Sequence, residues 1–150
     1  HMKDCQHGFF LGRGLDYSIA TEASLKMKEV SYMHTEAFAS GELKHGTIAL
    51  IEQDIPVIAI TTQTDLFEKS VSNIKEVKAR GAYVVSITQE KNAEIIKEVS
   101  DDVIFIPNTD DLIAGITCII PLQLLAYHVS ILRGLDVDKP RNLAKSVTVE

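Results

Sequence analysis

Cysteine is scarce in this chain, with only Cys5 and Cys118 among 150 residues. Two such cysteines, one of them within an apolar run, argue against a disulfide framework and against a cysteine-rich metal site. The net charge is −6, and no cluster of five or more basic residues occurs. This balance argues against a nucleic-acid partner and against an anionic membrane surface. We therefore expect a protein of the reducing cytoplasm.

The composition is that of a globular protein, with 45% hydrophobic and 24% charged residues. A chain of this length is long enough for one domain with its own core. Internal repeats, low-complexity tracts and interdomain linkers are also lacking. His1-Met2 resembles a cloning remnant, and we expect it to have no role in the fold.

Short apolar runs alternate with helical patterns along the chain. The patterns predict strands over 9–11, 55–61, 83–87 and 103–106, and helices over 16–33, 66–80, 93–99 and 111–133. We expect Asp16 or Ser18 to cap the first helix and Thr64 or Asp65 to cap the second. Residues 48–51 fit either a short strand or a helical turn. The alternation is typical of a three-layer α/β/α domain with a mostly parallel, doubly wound sheet.

The segment from 112 to 132 is long and mostly apolar, as a membrane-spanning helix would be. It contains Pro121, Gln123 and His128, and the acidic pair Asp110 and Asp111 precedes it. A membrane span usually has fewer polar residues and a cationic flank. The segment therefore predicts a fully buried central helix.

Ligands of doubly wound sheets bind beyond the carboxyl ends of the strands, which here points to the loops 12–14, 61–65 and 107–110. Gly12-Arg13-Gly14 is half of a dinucleotide fingerprint, but Tyr17 stands where the third glycine is needed, which disfavours a nicotinamide site. The hydroxyl-rich loop 61–65 is suited to a phosphate. It contains no glycine, however, and the charge of Asp65 opposes an anion.

The first predicted helix has three charged residues at spacings of four and three, Glu22, Lys26 and Glu29. At this spacing they share one face of the helix, beside its apolar arc. Two carboxylates that bracket an ammonium at a partly buried edge can position a general base. The alternative is a routine helix ion pair that contributes only to stability.

The segment 34–46, predicted as a loop, contains two histidines, two glutamates and two glycines. His45 lies between Lys44 and Gly46 and is suited to shuttle protons near neutral pH. The histidines do not share a helix face at ligand spacing, so a metal site is not indicated. A plain solvated loop is the alternative.

One lysine, Lys145, lies among small and apolar residues in the last ten positions. A lysine near apolar surface can lose its proton and form a Schiff base with a carbonyl compound. The alternative is a solvated terminal lysine.

Three segments together resemble the glutamine–fructose-6-phosphate aminotransferases, also called glucosamine-6-phosphate synthases. They read FLGRG, EASLKMKEVSYMHTEAFASGELKHG and PLQLLAYHVSILRGLDVDKPRNLAKSVTVE. The residues from about 53 to 110 are generic and add little. The resemblance is to the second of the two sugar isomerase (SIS) domains of that family, and Thr47 departs from its common proline. It implies an SIS domain over 3–134, flavodoxin-like or Rossmann-like, and a tail over 135–150 that contributes to a sugar site.

The resemblance also implies roles for individual residues. Glu29 resembles the general base that moves a proton between sugar carbons one and two, and Lys145 resembles the Schiff-base lysine. Lys26 and Glu22 resemble the polar residues that support this site, and Ala144 a substrate-binding residue. His45 resembles a histidine linked to ring opening, which in the family reaches a neighbouring subunit.

By resemblance, the parent protein converts fructose 6-phosphate and glutamine to glucosamine 6-phosphate and glutamate, without a cofactor or metal. The family's glutaminase domain and first SIS domain, which has the main phosphate loop, are missing from this chain. We therefore expect the chain alone to be inactive or nearly so, and to form a homodimer. The alternatives are a stand-alone regulatory SIS module that binds a sugar phosphate, and, from the fold alone, a nucleotide-binding domain.

Overall fold

Five parallel strands form a single sheet in the computed structural model, which describes residues 1–143. The strands are β1 (His7–Gly12), β2 (His34–Ala39), β3 (Pro56–Thr61), β4 (Tyr83–Gln89) and β5 (Asp102–Ile106), and the helices are α1 (Leu15–Ser31), α2 (Phe67–Lys78), α3 (Ala93–Val99) and α4 (Ala114–Leu132). The strand order is β2-β1-β3-β4-β5. This is the flavodoxin-like order of a doubly wound sheet, so the predicted fold class is confirmed.

The helices cover both faces of the sheet, because alternate residues of each strand point to opposite sides. Phe10 and Ile58 belong to the core beneath α1 and α4, whereas Phe9 and Val57 belong to the core beneath α2 and α3. Strands buried on both sides read as continuous apolar runs, which is why four of them could be predicted.

The remaining strand, β2, corrects the prediction of a loop over 34–46. It pairs with β1 from His7↔His34 to Gly12↔Ala39 and lies at the edge of the sheet. Thr35 is fully buried, but the residues on either side of it are exposed. An edge strand with this mixed exposure lacks the apolar run that indicates a buried strand.

The predicted helix caps are wrong. α1 begins after Gly14, whose φ of 58° requires glycine, and Asp16 lies inside the first turn with its carboxylate directed to another loop. Thr64 and Asp65 belong to a short 3-10 helix, Thr64–Leu66, and α2 follows with Leu66 at its N-cap. The undecided segment 48–51 overlaps another 3-10 helix, Thr47–Leu50.

The long apolar helix α4 is not fully buried as predicted. It packs on α1 and the sheet through one face, and 28% of its most apolar 18-residue stretch is buried. By length and composition it could cross a membrane, a test that core helices of soluble proteins also pass. A uniformly apolar sequence has no polar face, so it does not reveal which side packs.

Met2, assigned above to a cloning remnant without a role in the fold, is buried at 7% exposure in the core beneath α1 and α4. It belongs to a 3-10 helix, Met2–Asp4, that contacts α4. The side chain therefore contributes to the packing of the domain, whatever its origin.

Candidate functional site

The charged residues of α1 meet as their spacing predicts. Lys26 Nζ lies 2.6 Å from Glu29 Oε2 and 3.6 Å from Glu22 Oε1. The Lys26 and Glu29 side chains are 33% and 28% exposed, so both are accessible to a small molecule. The hydrogen bond to Glu29, with the two negative charges, raises the pKa of the Lys26 ammonium. Lys26 is therefore a fixed cation that orients a carboxylate, and it is poorly suited to be the unprotonated amine of a Schiff base.

A small cavity of about 180 Å³ adjoins this cluster, and we call it the α1–α4 groove. It is mostly apolar and is lined by Lys26 and Val30 of α1, by three residues of α4 and by one residue after it: Gln123, Ala126, Tyr127 and Val137. An apolar recess beside a few placed charges is the usual form of a small-molecule site.

The segment after α4 returns to the end of α1. Arg133 Nη1 donates to the Ser31 carbonyl at 2.8 Å. The Arg141 backbone N–H donates to the Tyr32 hydroxyl at 2.7 Å, and the Arg141 guanidinium lies 4.1 Å from the centre of the Tyr32 ring. Tyr32 follows Glu29 by three residues, so these contacts bring Arg141 close to the end of α1 that contains Glu29. The predicted site residues Ala144 and Lys145 lie outside the described residues.

His45 is not brought to this cluster within one chain. α1 runs antiparallel to the strands, so Glu29, near its end, lies toward the edge where β2 begins at His34. β2 then extends for about 16 Å, at roughly 3.3 Å per residue, and the chain reaches His45 only beyond the carboxyl end of this strand. The 3-10 helix Leu43–His45 exposes His45 to solvent. Within one chain, His45 and Glu29 therefore lie toward opposite ends of the strands.

The loops at the carboxyl edge of the sheet do come together, but carboxylates of the chain itself occupy them. Asp16 is 2% exposed, and its carboxylate accepts hydrogen bonds from the Thr62 amide at 2.8 Å and the Thr62 hydroxyl at 2.5 Å. The backbone N–H of Gln63 also donates to the Asp16 carboxylate, at 3.4 Å. Burial raises the pKa of Asp16 against the effect of these hydrogen bonds. We call this arrangement the Asp16 clasp.

Asp111 holds the other half of the same loop. It accepts hydrogen bonds from the Thr64 amide at 2.6 Å and the Thr64 hydroxyl at 3.0 Å, and Lys91 Nζ lies 3.5 Å away. Desolvation acts to raise the pKa of Asp111, but the Thr64 hydrogen bonds and the Lys91 charge lower it below its ordinary value. The amides that would bind a phosphate are therefore already paired with carboxylates, and a second anion would be repelled.

The half fingerprint at 12–14 also has a structural role. A Cβ on Gly12 would lie 2.3 Å from the Asp16 carbonyl oxygen, so glycine allows the close approach of β1 and α1. Arg13 Nη1 donates to Asn73 Oδ1 of α2 at 3.0 Å. Within residues 1–143, no group of three or more histidine, cysteine, aspartate or glutamate side chains could hold a metal ion.

Sequence reasoning missed Asp16, Asp111 and Tyr32. Each makes its key contact with a residue at least 46 positions away, so no local spacing could reveal it. One signal was available for Asp16, a carboxylate in the first turn after a glycine loop. That signal indicates only a helix N-terminus and not its partner.

The chain is similar to known proteins over most of its length. Residues 1–133 match the SIS domain family. The chain is 58% identical over 142 residues to the glutamine–fructose-6-phosphate aminotransferase (isomerizing) of Caldanaerobacter subterraneus subsp. tengcongensis, covering 95% of this chain and 23% of that protein. It is 57% identical over 150 residues to the enzyme of the same name from Clostridium tetani, covering 100% of this chain and 24% of that protein.

A solved structure, the C-terminal domain of glucosamine-fructose-6-phosphate aminotransferase from Francisella tularensis, superimposes with a TM-score of 0.87 at 43% identity. The match covers 92% of this chain and 39% of that one. This chain thus spans about a quarter of the length of the curated relatives it matches. The fold, the strand order and the matched residues lead to one conclusion: the chain belongs to the SIS domain family.

Proposed function

We propose that this chain is the carboxy-terminal isomerase domain of an enzyme that makes glucosamine 6-phosphate and glutamate from fructose 6-phosphate and glutamine. The observation that carries the proposal is the Glu22–Lys26–Glu29 cluster beside the α1–α4 groove, which Val137 also lines. The relatives at 57–58% identity are aminotransferases of this name, which supports the proposal.

In this proposal Glu29 is the general base that moves a proton between carbons one and two of the open-chain sugar. Ketose-to-aldose isomerisation needs one base on one face of an enediol-like intermediate. Lys26 holds Oε2 of Glu29 at 2.6 Å and so fixes the direction of the carboxylate. Glu22, 3.6 Å from the same ammonium, completes the support.

Lys145 is the proposed Schiff-base residue, and Ala144 contributes beside it to substrate binding. Imine formation needs an unprotonated amine, and the carbonyl oxygen leaves as water. The raised pKa of Lys26 disfavours it for this role. The described chain ends at Leu143, close after the Arg141–Tyr32 contact, and two further residues span at most about 7 Å. Lys145 is therefore within this distance of Leu143 along the chain.

His45 is the proposed group that assists opening of the sugar ring, and it acts in the site of a second subunit. The separation of His45 from Glu29 along the length of β2 supports this arrangement. We therefore propose a homodimer. A cytoplasmic location is proposed from the scarcity of cysteine, which suits a reducing compartment.

The anchor for the substrate phosphate is proposed to lie outside this chain, in a preceding SIS domain. The loop suited to a phosphate by its hydroxyls is occupied by Asp16 and Asp111. Without an anchor and without a glutaminase domain, the 150-residue chain alone is expected to be inactive or nearly so. Turnover of fructose 6-phosphate by the purified chain at the rate of an intact isomerase would contradict this expectation.

The proposal is tested by transplanting the chain into the Clostridium tetani relative in place of the matching segment. The chimera should form glucosamine 6-phosphate from fructose 6-phosphate and glutamine. In the chimera, Glu29→Gln should lower kcat by about 10²–10⁴-fold, the usual contribution of a general base. Glu68→Gln, at an exposed position on α2, is the matched control and should leave kcat unchanged.

The role of Lys145 needs its own pair of variants. Lys145→Ala should abolish synthesis and should also abolish the adduct that borohydride traps with fructose 6-phosphate. Lys139→Ala, an exposed lysine of the same tail, should change neither. Sugar binding without any effect of Lys145→Ala on synthesis would instead support a regulatory module. That alternative is not favoured by the names of the relatives at more than 50% identity.

A further inference from the structure

The residues after β2, 40–46, form turns and the 3-10 helix that ends at His45, and we call them the His45 segment. Two turns in series set its path. The Glu42 N–H donates to the Ala39 carbonyl at 2.7 Å, and the His45 N–H donates to the Glu42 carbonyl at 3.0 Å. Because the second turn begins where the first one ends, a displacement near Gly41 moves His45 as well. The attachments of the segment to the rest of the domain therefore decide where His45 lies.

Two of these attachments are ordinary features of the fold. The Ser40 N–H donates to the Gly12 carbonyl at 2.8 Å, which continues the pairing of β2 with β1 beyond its last residue pair. Leu43 is 1% exposed and belongs to the core beneath α2 and α3. Gly41, which lies between Ser40 and Leu43, is attached in a different way, through the side chain of Arg13.

The Arg13 guanidinium packs against Gly41. A Cβ built on Gly41 would lie 3.2 Å from Nη1, 3.3 Å from Nη2 and 3.4 Å from Cζ of Arg13. An approach from the edge would place Cζ clearly farther away than the two nitrogens. The near equality of the three distances therefore means that the plane of the guanidinium, more than its edge, faces the segment. The contact depends on a planar group on one side and on the small size of glycine on the other.

Asn73 fixes the guanidinium in this position. Arg13 Nη1 donates to Asn73 Oδ1 at 3.0 Å, which joins the loop after β1 to α2. Asn73 is 6% exposed, and its neighbours Ile74 and Val77 on α2 are core residues at 1% and 0% exposure. Buried polar side chains are usually hydrogen-bonded, and here the bond partner is a side chain that also contacts the His45 segment. The core of the domain thus holds the amide, the amide holds the guanidinium, and the guanidinium supports Gly41.

We propose that Arg13 is a positioning residue that, held by Asn73, fixes the His45 segment and so sets the place of His45 in the reaction. Neither Arg13 nor Asn73 touches the substrate in this proposal. A lysine would keep the charge of Arg13, but it has neither the plane that packs on Gly41 nor the fixed fork of donors that meets Asn73. The consequence for the reaction rests on the proposed function, whereas the attachment of the segment does not.

The first test is backbone hydrogen exchange of the 150-residue chain, measured by NMR, and it is independent of the proposed function. Arg13→Lys should raise the exchange rate of the His45 N–H by roughly 5-fold, the effect of losing one hydrogen bond. Asn73→Ala should raise it equally, and the double variant no further, because the two side chains form one contact. Ser72→Ala, at an exposed position beside Asn73, is the matched control and should leave the rate unchanged.

The second test is the activity of the chimera described above. Arg13→Lys should lower kcat for synthesis by about 10- to 100-fold, because a misplacement of roughly 1 Å costs this much. KM for fructose 6-phosphate should stay the same, since Arg13 does not contact the sugar. In a chimera that already carries His45→Ala, Arg13→Lys should have no further effect, because its role is exerted through His45. Ser72→Ala should again change neither constant.

Three results would overturn the proposal. The first is exchange at His45 that is as slow in Arg13→Lys and Asn73→Ala as in the wild type. The second is an equal loss of kcat with and without His45, which would leave Arg13 only a general role in stability. The third is a raised KM at unchanged kcat, which would indicate direct contact of Arg13 with the substrate.

The two tests also separate this proposal from the proposed function. A chimera without substitutions that makes no glucosamine 6-phosphate contradicts the proposed function, and the exchange rates then decide the attachment of the segment by themselves. Should circular dichroism show Arg13→Lys unfolded, Asn73→Ala takes its place in both tests, with the same expected results.

Discussion

The Asp16 clasp links the start of α1 to the loop after β3, and its removal should be measurable in the stability of the domain. Asp16→Ala leaves the Thr62 amide without its 2.8 Å acceptor and the Thr62 hydroxyl without its 2.5 Å acceptor. Thr62 is fully buried, so water cannot replace the carboxylate without rearrangement. An unpaired buried amide costs about 1–3 kcal/mol and the lost hydroxyl bond about 1 kcal/mol more. We expect a loss of about 2–4 kcal/mol.

Urea denaturation of the 150-residue chain measures this loss as a lower midpoint at unchanged slope. For a domain of this length, the same loss corresponds to a decrease in Tm of about 5–15 °C. Asp65→Ala, at an exposed position in the same loop, is the control and should stay within about 0.5 kcal/mol of the wild type. Equal midpoints for Asp16→Ala and Asp65→Ala would refute the clasp.

The pH dependence of the same clasp gives an independent check. Burial raises the pKa of Asp16 above its ordinary value of 3.8, so the folded state binds this proton more tightly than the unfolded state does. The stability contribution is therefore greatest below that value and decreases as the pH rises through the folded pKa. Asp16→Asn keeps an acceptor for the Thr62 amide but has no proton to lose. The wild type should accordingly lose stability relative to Asp16→Asn as the pH is raised from about 4.

Three further outcomes are expected. Leu122→Ala, at a core position of 1% exposure, should lower the free energy of unfolding in urea by about 2–5 kcal/mol. Leu124→Ala, at 51% exposure, should lower it by less than about 0.5 kcal/mol in the monomer. Equal losses for the two variants would contradict the orientation of α4. The hydrogen bond to Asp102 raises the pKa of Tyr83 to about 12. The difference between the ultraviolet titrations of the wild type and Tyr83→Phe, which isolates Tyr83 from the other three tyrosines, should therefore have its midpoint near that value, and a midpoint near 10 would oppose it. Burial raises the pKa of Cys118 to about 12, so a thiol reagent should modify Cys5 in the folded chain and Cys118 only after unfolding.

Much of the architecture could be predicted because it depends on local patterns. Strands buried on both faces are continuous apolar runs, and α3 begins and ends where its pattern predicts, at Ala93 and Val99. The Glu22–Lys26–Glu29 cluster follows from helix periodicity alone. The edge strand β2 could not be predicted from the sequence. It pairs with β1 alone, and its residues mix exposed and buried positions without forming an apolar run.

The candidate site could be predicted only in part for a related reason. The Asp16–Thr62 and Asp111–Thr64 contacts join residues 46 and 47 positions apart, and their geometry is set by the meeting of strand ends. The exposed side of α4 could not be predicted either, because the type of an apolar residue does not reveal whether it packs in the core or lies on the surface.

The packing of α1 against α4 has a consequence for synthesis of the protein. Ser130 donates to the Val30 carbonyl across 100 positions of sequence, so the first long helix is completed long before the last one. At about 5–20 residues per second, a ribosome takes roughly 5–20 s to make the intervening chain. During that interval the side of α1 that packs on α4 in the folded domain is uncovered. The nascent domain therefore exposes a ready surface to chaperones until its final helix emerges.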